Sequence, residues 1–307
     1  MSDLTIAILI LGGLCLLALL AGVKVGAHPS GGIRLLLQVA AASLMLCYLV
    51  FFWNRPILAG WFPTSGLIIL GNWLPIWGSF FLGMYIQSNA VCLPRRTVIG
   101  ALTLVLVAYS GFAPILGEPP HVSNREQSMG ALQQQTTPFT CSAACAVSLL
   151  RLHGLEATES ELAELCLTRE GTHWMGLYRG MMLKTEGTEW TVAVEEIDQD
   201  TVYLVNSPSI LALDIDTSVF PDELDHGFHS EVGHSVVYLG RTSPTCLTVF
   251  DPSPDYGIED WNSEILGCVK GGVALKLVRR SESVGATVDV TQNVATMLLK
   301  RRLTAGI

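Results

Sequence analysis

Residues 133–154 read QQQTTPFTCSAACAVSLLRLHG. A polar stretch with a proline leads into a run of helical spacing that opens on Cys141, places Cys145 one turn further on and stops at Gly154. Glycine suits the left-handed position that follows a helix. Thr140 is the expected N-cap, which makes Cys141 the first helical residue. A thiol there lies beside unpaired backbone N–H groups and the positive end of the helix dipole, a setting that lowers its pKa and favours the nucleophilic thiolate. Cys145 lies one turn deeper and lacks that advantage. Position alone does not decide between a nucleophile and a core residue, because cysteine is also a common small buried hydrophobe.

Downstream, Thr158-Glu-Ser-Glu161 is a capping box that predicts a second helix to about Leu167, and a third helix is expected over residues 173–184. Strand patterns follow at residues 190–194, 210–213, 235–239, 247–250 and 273–278, separated by turn residues. Helices followed by a run of strands indicate an α+β domain with an antiparallel sheet.

Upstream, the chain changes character. Of its 27 acids and 18 bases, residues 1–116 hold one acid, Asp3, and five bases, which leaves 26 acids and 13 bases for the remainder. Half of the 307 residues are hydrophobic and the mean hydropathy is +0.45, too apolar for an ordinary soluble chain. Four segments, residues 4–23, 35–53, 67–86 and 97–116, approach the roughly 20 apolar residues that a membrane-spanning helix needs. The third carries Asn72 and Pro75, and neighbouring helices are expected to accommodate them. No Lys or Arg precedes the first segment, so it is expected to be a retained helix and not a cleaved signal. Lys24 and Arg34 lie in the first connection and Arg95 and Arg96 in the third, against Arg55 in the second. The positive-inside rule then puts the globular part on the extracytoplasmic side of a multi-pass protein. The expected organisation is a membrane region at 1–116, a Pro-rich linker at 117–130, a globular domain at 131–280 and a tail at 281–307. The acidic balance excludes nucleic acid as a partner.

A thiolate nucleophile needs a base, and the base needs a third group to orient it. His234 stands at the mouth of an apolar strand and Asp251 ends the next one, so two adjacent antiparallel strands could bring them together. Gln135 lies six residues before Cys141, and Asp251-Pro252 begins 17 residues after His234. In this order and spacing, residues 133–280 resemble the C39 family of papain-like cysteine peptidases, best known as leader-removing domains of bacteriocin-exporting ABC transporters. The resemblance implies a papain-like α+β fold and a cysteine-type peptidase. Cys141 would be the nucleophile, His234 the base, Asp251 the group that holds the imidazole, and Gln135 an oxyanion donor. It implies no cofactor and no metal, a peptide or protein substrate, and a separate transporter as a candidate partner beside the lipid bilayer. The chain departs from the family in having Ser142 where a glycine usually follows the nucleophile. It also lacks a G-x-x-x-x-G-K-[ST] phosphate loop, and its membrane segments precede the peptidase-like part.

Two other classes of function compete. His226, His229 and Glu231 could join His234 in a metal-binding loop, or the domain could bind peptides without cleaving them. On an oxidising side of the membrane, Cys246 and Cys268 are the first pair expected to form a disulfide.

Overall fold

The computed structural model describes residues 3–87, 93–122, 128–216 and 233–281. The chain divides into two compact units, one of Met1–Leu58 and Thr64–Gly117, the other of Glu118–Ile307 with the short segment Ala59–Pro63.

Among the described residues of the first unit, four helical stretches are long and apolar enough to cross a membrane: Asp3–Gly26, Gly31–Phe51, Leu67–Ile86 and Thr97–Ile115. We label the regular helices α1 (Asp3–Gly26), α2 (Gly31–Phe51), α3 (Leu74–Ile86) and α4 (Leu93–Phe112). The third stretch is interrupted, because a short turn of helix, Leu67–Leu70, ends at Gly71 and α3 restarts at Leu74 with Pro75 in its first turn. A proline in that turn removes no helical hydrogen bond.

Neighbours satisfy the groups that the break exposes, as expected for Asn72. Its Nδ2 donates to the Ser110 carbonyl of α4 at 2.7 Å while its Oδ1 accepts the Leu74 N–H at 3.2 Å. From α2, the buried Tyr48 hydroxyl donates to the Gly71 carbonyl at 2.7 Å and accepts the Trp73 N–H at 3.1 Å. The Tyr48 and Trp73 rings stack with centroids 5.0 Å apart.

α1 and α3 pack backbone against backbone. A Cβ on Gly22 would lie 2.0 Å from the Phe80 carbonyl oxygen, and one on Gly83 would lie 2.2 Å from that of Leu19. Small residues permit such close helix approach in membranes. Gly83→Leu should therefore push the two helices apart and cost about 1–3 kcal/mol, as overpacking does in other tight cores. An unfolding midpoint in detergent equal to that of the parent chain would refute this packing.

In the second unit, three helices precede the main sheet: α5 (Cys141–Leu152), α6 (Glu159–Leu165) and α7 (Trp174–Lys184). Residues Ser142 to Leu150 of α5 are all buried, which makes it a central helix and not a surface one. Its small residues, Ala143, Ala144, Cys145 and Ala146, let neighbouring elements approach closely. Gly154, with φ +74°, ends it in the left-handed conformation that the sequence predicts. Thr158 caps α6 by accepting the Glu161 N–H at 3.3 Å, and His173 caps α7 by accepting the Met175 N–H at 3.2 Å.

Besides a short antiparallel pair, Ser128–Met129 with Leu132–Gln133, the strands of the main sheet are β1 (Trp190–Ile197), β2 (Ser209–Ile215), β3 (His234–Ser243), β4 (Cys246–Phe250), β5 (Ile258–Trp261) and β6 (Val269–Arg279). They form one sheet in the order β1-β6-β2-β3-β4-β5, with every neighbouring pair antiparallel. The α+β arrangement is the one expected. β5 adds a strand that the sequence pattern did not reveal. A core of Leu211, Leu213, Val236, Tyr238, Leu247, Val249 and Trp261 is closed by Val202, Ile265 and Leu266. α5 packs against β2 and β3.

Cys246 and Cys268 are both free thiols, so the expected disulfide is not formed. The Cys268 thiol instead donates to the Glu264 carbonyl within its own turn, at 3.4 Å.

Candidate active site

Three elements deliver the predicted residues to one place. Cys141 is the first residue of α5, His234 is the first of β3, and Asp251 directly follows β4. Because β3 and β4 are antiparallel neighbours, paired through Val237 and Phe250, the start of one lies beside the end of the other.

The Asp251 carboxylate is nearly closed from solvent and held on both oxygens. Oδ2 meets the His234 Nε2 at 2.8 Å, and Oδ1 accepts the Ser253 N–H at 2.8 Å. Its backbone N–H donates to the Gly257 carbonyl at 2.7 Å, fixing the turn. Burial would raise the Asp251 pKa, but the hydrogen bond and charge of His234 and the Ser253 contacts hold it below the ordinary carboxylate value.

Nε2 is committed to Asp251, and the Cys141 thiol hydrogen-bonds the same ring. Burial of His234 favours its neutral form, yet the hydrogen bonds and charges of Asp251 and Cys141 overcome it and raise its pKa to about 10. Burial likewise pushes the Cys141 thiol up. The His234 hydrogen bond and charge, the Ser235 backbone N–H and the Ser142 hydroxyl outweigh it and hold the thiol below its ordinary value. Cys145 shows the opposite case. Burial and the nearby charges of Cys141 and Asp251 raise it well above an ordinary thiol, and its sulfur donates to the Ser235 carbonyl at 3.2 Å. The contrast runs in the expected direction, but the groups that hold Cys141 down are His234, Ser235 and Ser142, whereas the expectation rested on the helix end.

Thr140 does not cap α5 with its side chain. Its hydroxyl turns back to donate to the Thr137 carbonyl at 3.1 Å, inside the Thr137–Thr140 turn.

Gln135 is anchored to the same region from behind. Its backbone N–H donates to the Pro252 carbonyl at 2.7 Å, and the next N–H, that of Thr136, donates to the buried Glu159 carboxylate at 2.8 Å. The Gln135 Oε1 is buried without a hydrogen-bond partner. Which end of a side-chain amide bears the nitrogen is an assignment, so the open position can serve a donor as well as an acceptor.

His226, His229 and Glu231 of the metal-binding alternative lie outside the described residues. Among the described residues no group of three or more His, Cys, Asp or Glu is placed to hold a metal ion. Sequence reasoning missed Ser235, Ser253 and Glu159. Only the capping box at Thr158 pointed near the last of them, and nothing in the sequence marked the other two.

No family model and no curated protein matches the chain. Solved structures do. The chain is similar to the peptidase domain of Streptococcus ComA, described as a bi-functional ABC transporter involved in a quorum sensing pathway, at 18% identity. That match has a TM-score of 0.39 and covers 50% of this chain and 100% of the other. It is also similar to the peptidase domain of Streptococcus mutans ComA, at 19% identity and a TM-score of 0.33, over 48% of this chain and 98% of the other. A double glycine motif protease from an AMS/PCAT transporter, solved in complex with a leader peptide, matches at 12% identity and a TM-score of 0.38. The match covers 52% of this chain and 97% of that one.

Proposed function

We propose that the chain is a membrane-anchored cysteine peptidase that hydrolyses a peptide or protein substrate. The observation that carries this reading is the shared imidazole: His234 bonds Asp251 through Nε2 at 2.8 Å, and the same ring hydrogen-bonds the Cys141 thiol.

The chemistry follows from that pair. The Cys141 thiolate attacks the scissile carbonyl carbon, forming a C–S bond as the carbonyl electrons move onto oxygen. The Cys141 backbone N–H and the Gln135 side-chain amide donate to that oxyanion, each a contribution of about 3 kcal/mol in comparable sites. The His234 imidazolium then protonates the amine nitrogen as the C–N bond breaks, leaving a thioester. Water attacks the thioester while His234 takes its proton, and the C–S bond breaks to restore the thiolate. Asp251 keeps the imidazole in place throughout. No cofactor enters this scheme.

The test is a profile of peptides cleaved by the full chain in detergent. Cleavage at defined bonds that disappears in Cys141→Ala supports the reading. A wild-type profile identical to that of Cys141→Ala overturns it in favour of a domain that binds peptides without cutting them.

In this reading residues 1–116 are the anchor, 117–130 the linker and 131–280 the peptidase domain. Counting of Lys24, Arg34, Arg95 and Arg96 against Arg55 places both termini outside the cytoplasm. A reporter that is active only in the cytoplasm, fused after Ile307, should then be silent. A strong signal from it would reverse the orientation.

A further inference from the structure

Ser142 and Ser235 are chain neighbours of the two reacting residues, Cys141 and His234, and each is 3% exposed. Their hydroxyl oxygens lie 2.8 Å apart, joining α5 to β3. A second tie between the same elements is the Cys145 thiol, which donates to the Ser235 carbonyl at 3.2 Å.

We propose that Ser142 and Ser235 are positioning residues, a buried hydroxyl pair that locks the helix carrying Cys141 to the strand carrying His234 and so holds sulfur and imidazole within proton-transfer reach. The proposal deepens the peptidase reading and rests on it. A buried hydroxyl without a partner is costly, so each of these serines stabilises the register that gives it the other. Any slip of α5 along β3 would break the pair before it separated the reacting groups by much. Misplacement of about 1 Å is enough to cost roughly 10²-fold in rate.

The pair also has a direction. A hydroxyl carries one proton and two lone pairs. The Ser142 hydroxyl is one of the groups that hold the Cys141 thiol down. Both contacts are served only if Ser235 donates to Ser142 and Ser142 donates to the sulfur. A glycine at position 142 would supply neither contact, so the departure noted in the sequence adds a group to the site.

The test reads the sulfur itself, in the full chain in detergent, as the rate of Cys141 alkylation by iodoacetamide across pH. Ser142→Ala, which loses a hydrogen bond to the charged form, and Ser235→Ala, which removes the partner that holds the Ser142 hydroxyl and the helix in place, should each react about threefold or more slowly on the acid side of the wild-type midpoint. At alkaline pH, where every thiol is ionised, the rates should converge. Because either change breaks the same pair, the double variant should be no slower than the slower single. Ser235→Thr, which keeps the hydroxyl on a β-branched frame suited to a strand, should restore the wild-type profile. Buried Cys145 reports the fold, since its continued protection separates a displaced sulfur from an unfolded chain. Should Ser142→Ala expose Cys145, Ser142→Gly takes its place with the same expectation.

Single variants that match wild type, or losses that multiply in the double variant, overturn the proposal. If wild-type Cys141 reacts as an ordinary thiol and ignores loss of His234, the peptidase reading falls and this one with it. If the wild-type midpoint is low and depends on His234 while the serine variants follow wild type, only the hydroxyl pair falls.

Discussion

Replacing His234 by alanine should slow peptide hydrolysis by roughly 10³-fold, the middle of the range for loss of a general acid–base. The same change should move the alkylation of Cys141 to higher pH. In the native chain, the sulfur is lowered by the hydrogen bond and charge of His234 against its own burial. The imidazole is raised to about 10 by Asp251 and Cys141. The two titrate as a unit, and between the lowered value of the thiol and the raised value of the imidazole they are the charged pair. As pH falls through the lower value the sulfur takes a proton and reactivity is lost. As pH rises past about 10 the imidazole loses its proton, the thiolate persists, and the acid needed by the leaving amine is gone. Hydrolysis should therefore fall on both sides, while alkylation falls only on the acid side. A His234→Ala chain with the wild-type alkylation profile would mean that the imidazole does not reach the sulfur.

Gln135→Ala should behave differently, with kcat reduced roughly 10²-fold or more and the alkylation profile of Cys141 unchanged. An oxyanion donor acts on charge that develops in the transition state and not on the resting thiol. Gln135 is suited to such a part because its backbone is tied to Pro252, next to Asp251. Equal losses in kcat and in alkylation would instead identify Gln135 as a structural support of the sulfur.

Much of this arrangement was legible in the sequence because the relevant signals are local. The cysteine that opens a helix ending at Gly154, the capping box at Thr158 and the apolar strands that bracket His234 and Asp251 each follow from a few neighbouring residues. What escaped depends on residues distant in sequence. The strand Ile258–Trp261 is four residues long with Glu259 and Asp260 at its centre, so it has no run of alternating apolar residues to announce it. β6 lies between β1 and β2, a placement set by partners 54 to 89 residues away. Thr140 looked like an N-cap by composition, but its hydroxyl turns back to Thr137, accepting that residue's N–H and donating to its carbonyl. The pairing of Ser142 with Ser235, 93 residues apart, had no local trace at all. Cys246 and Cys268 looked paired by proximity in sequence, yet each finds its place as a single thiol.

The break at Gly71–Trp73 sets a timetable for biogenesis. An uninterrupted helix can leave a translocon alone, since all its backbone bonds are internal. The third stretch cannot, because its Gly71 carbonyl is satisfied by Tyr48, which is synthesised before it, and its Asn72 amide by Ser110, which is synthesised after it. During synthesis the second helix is already waiting when the break emerges, but the fourth is not. Until Ser110 is made, the Asn72 amide must be sheltered by water, by lipid headgroups or by the insertion machinery itself.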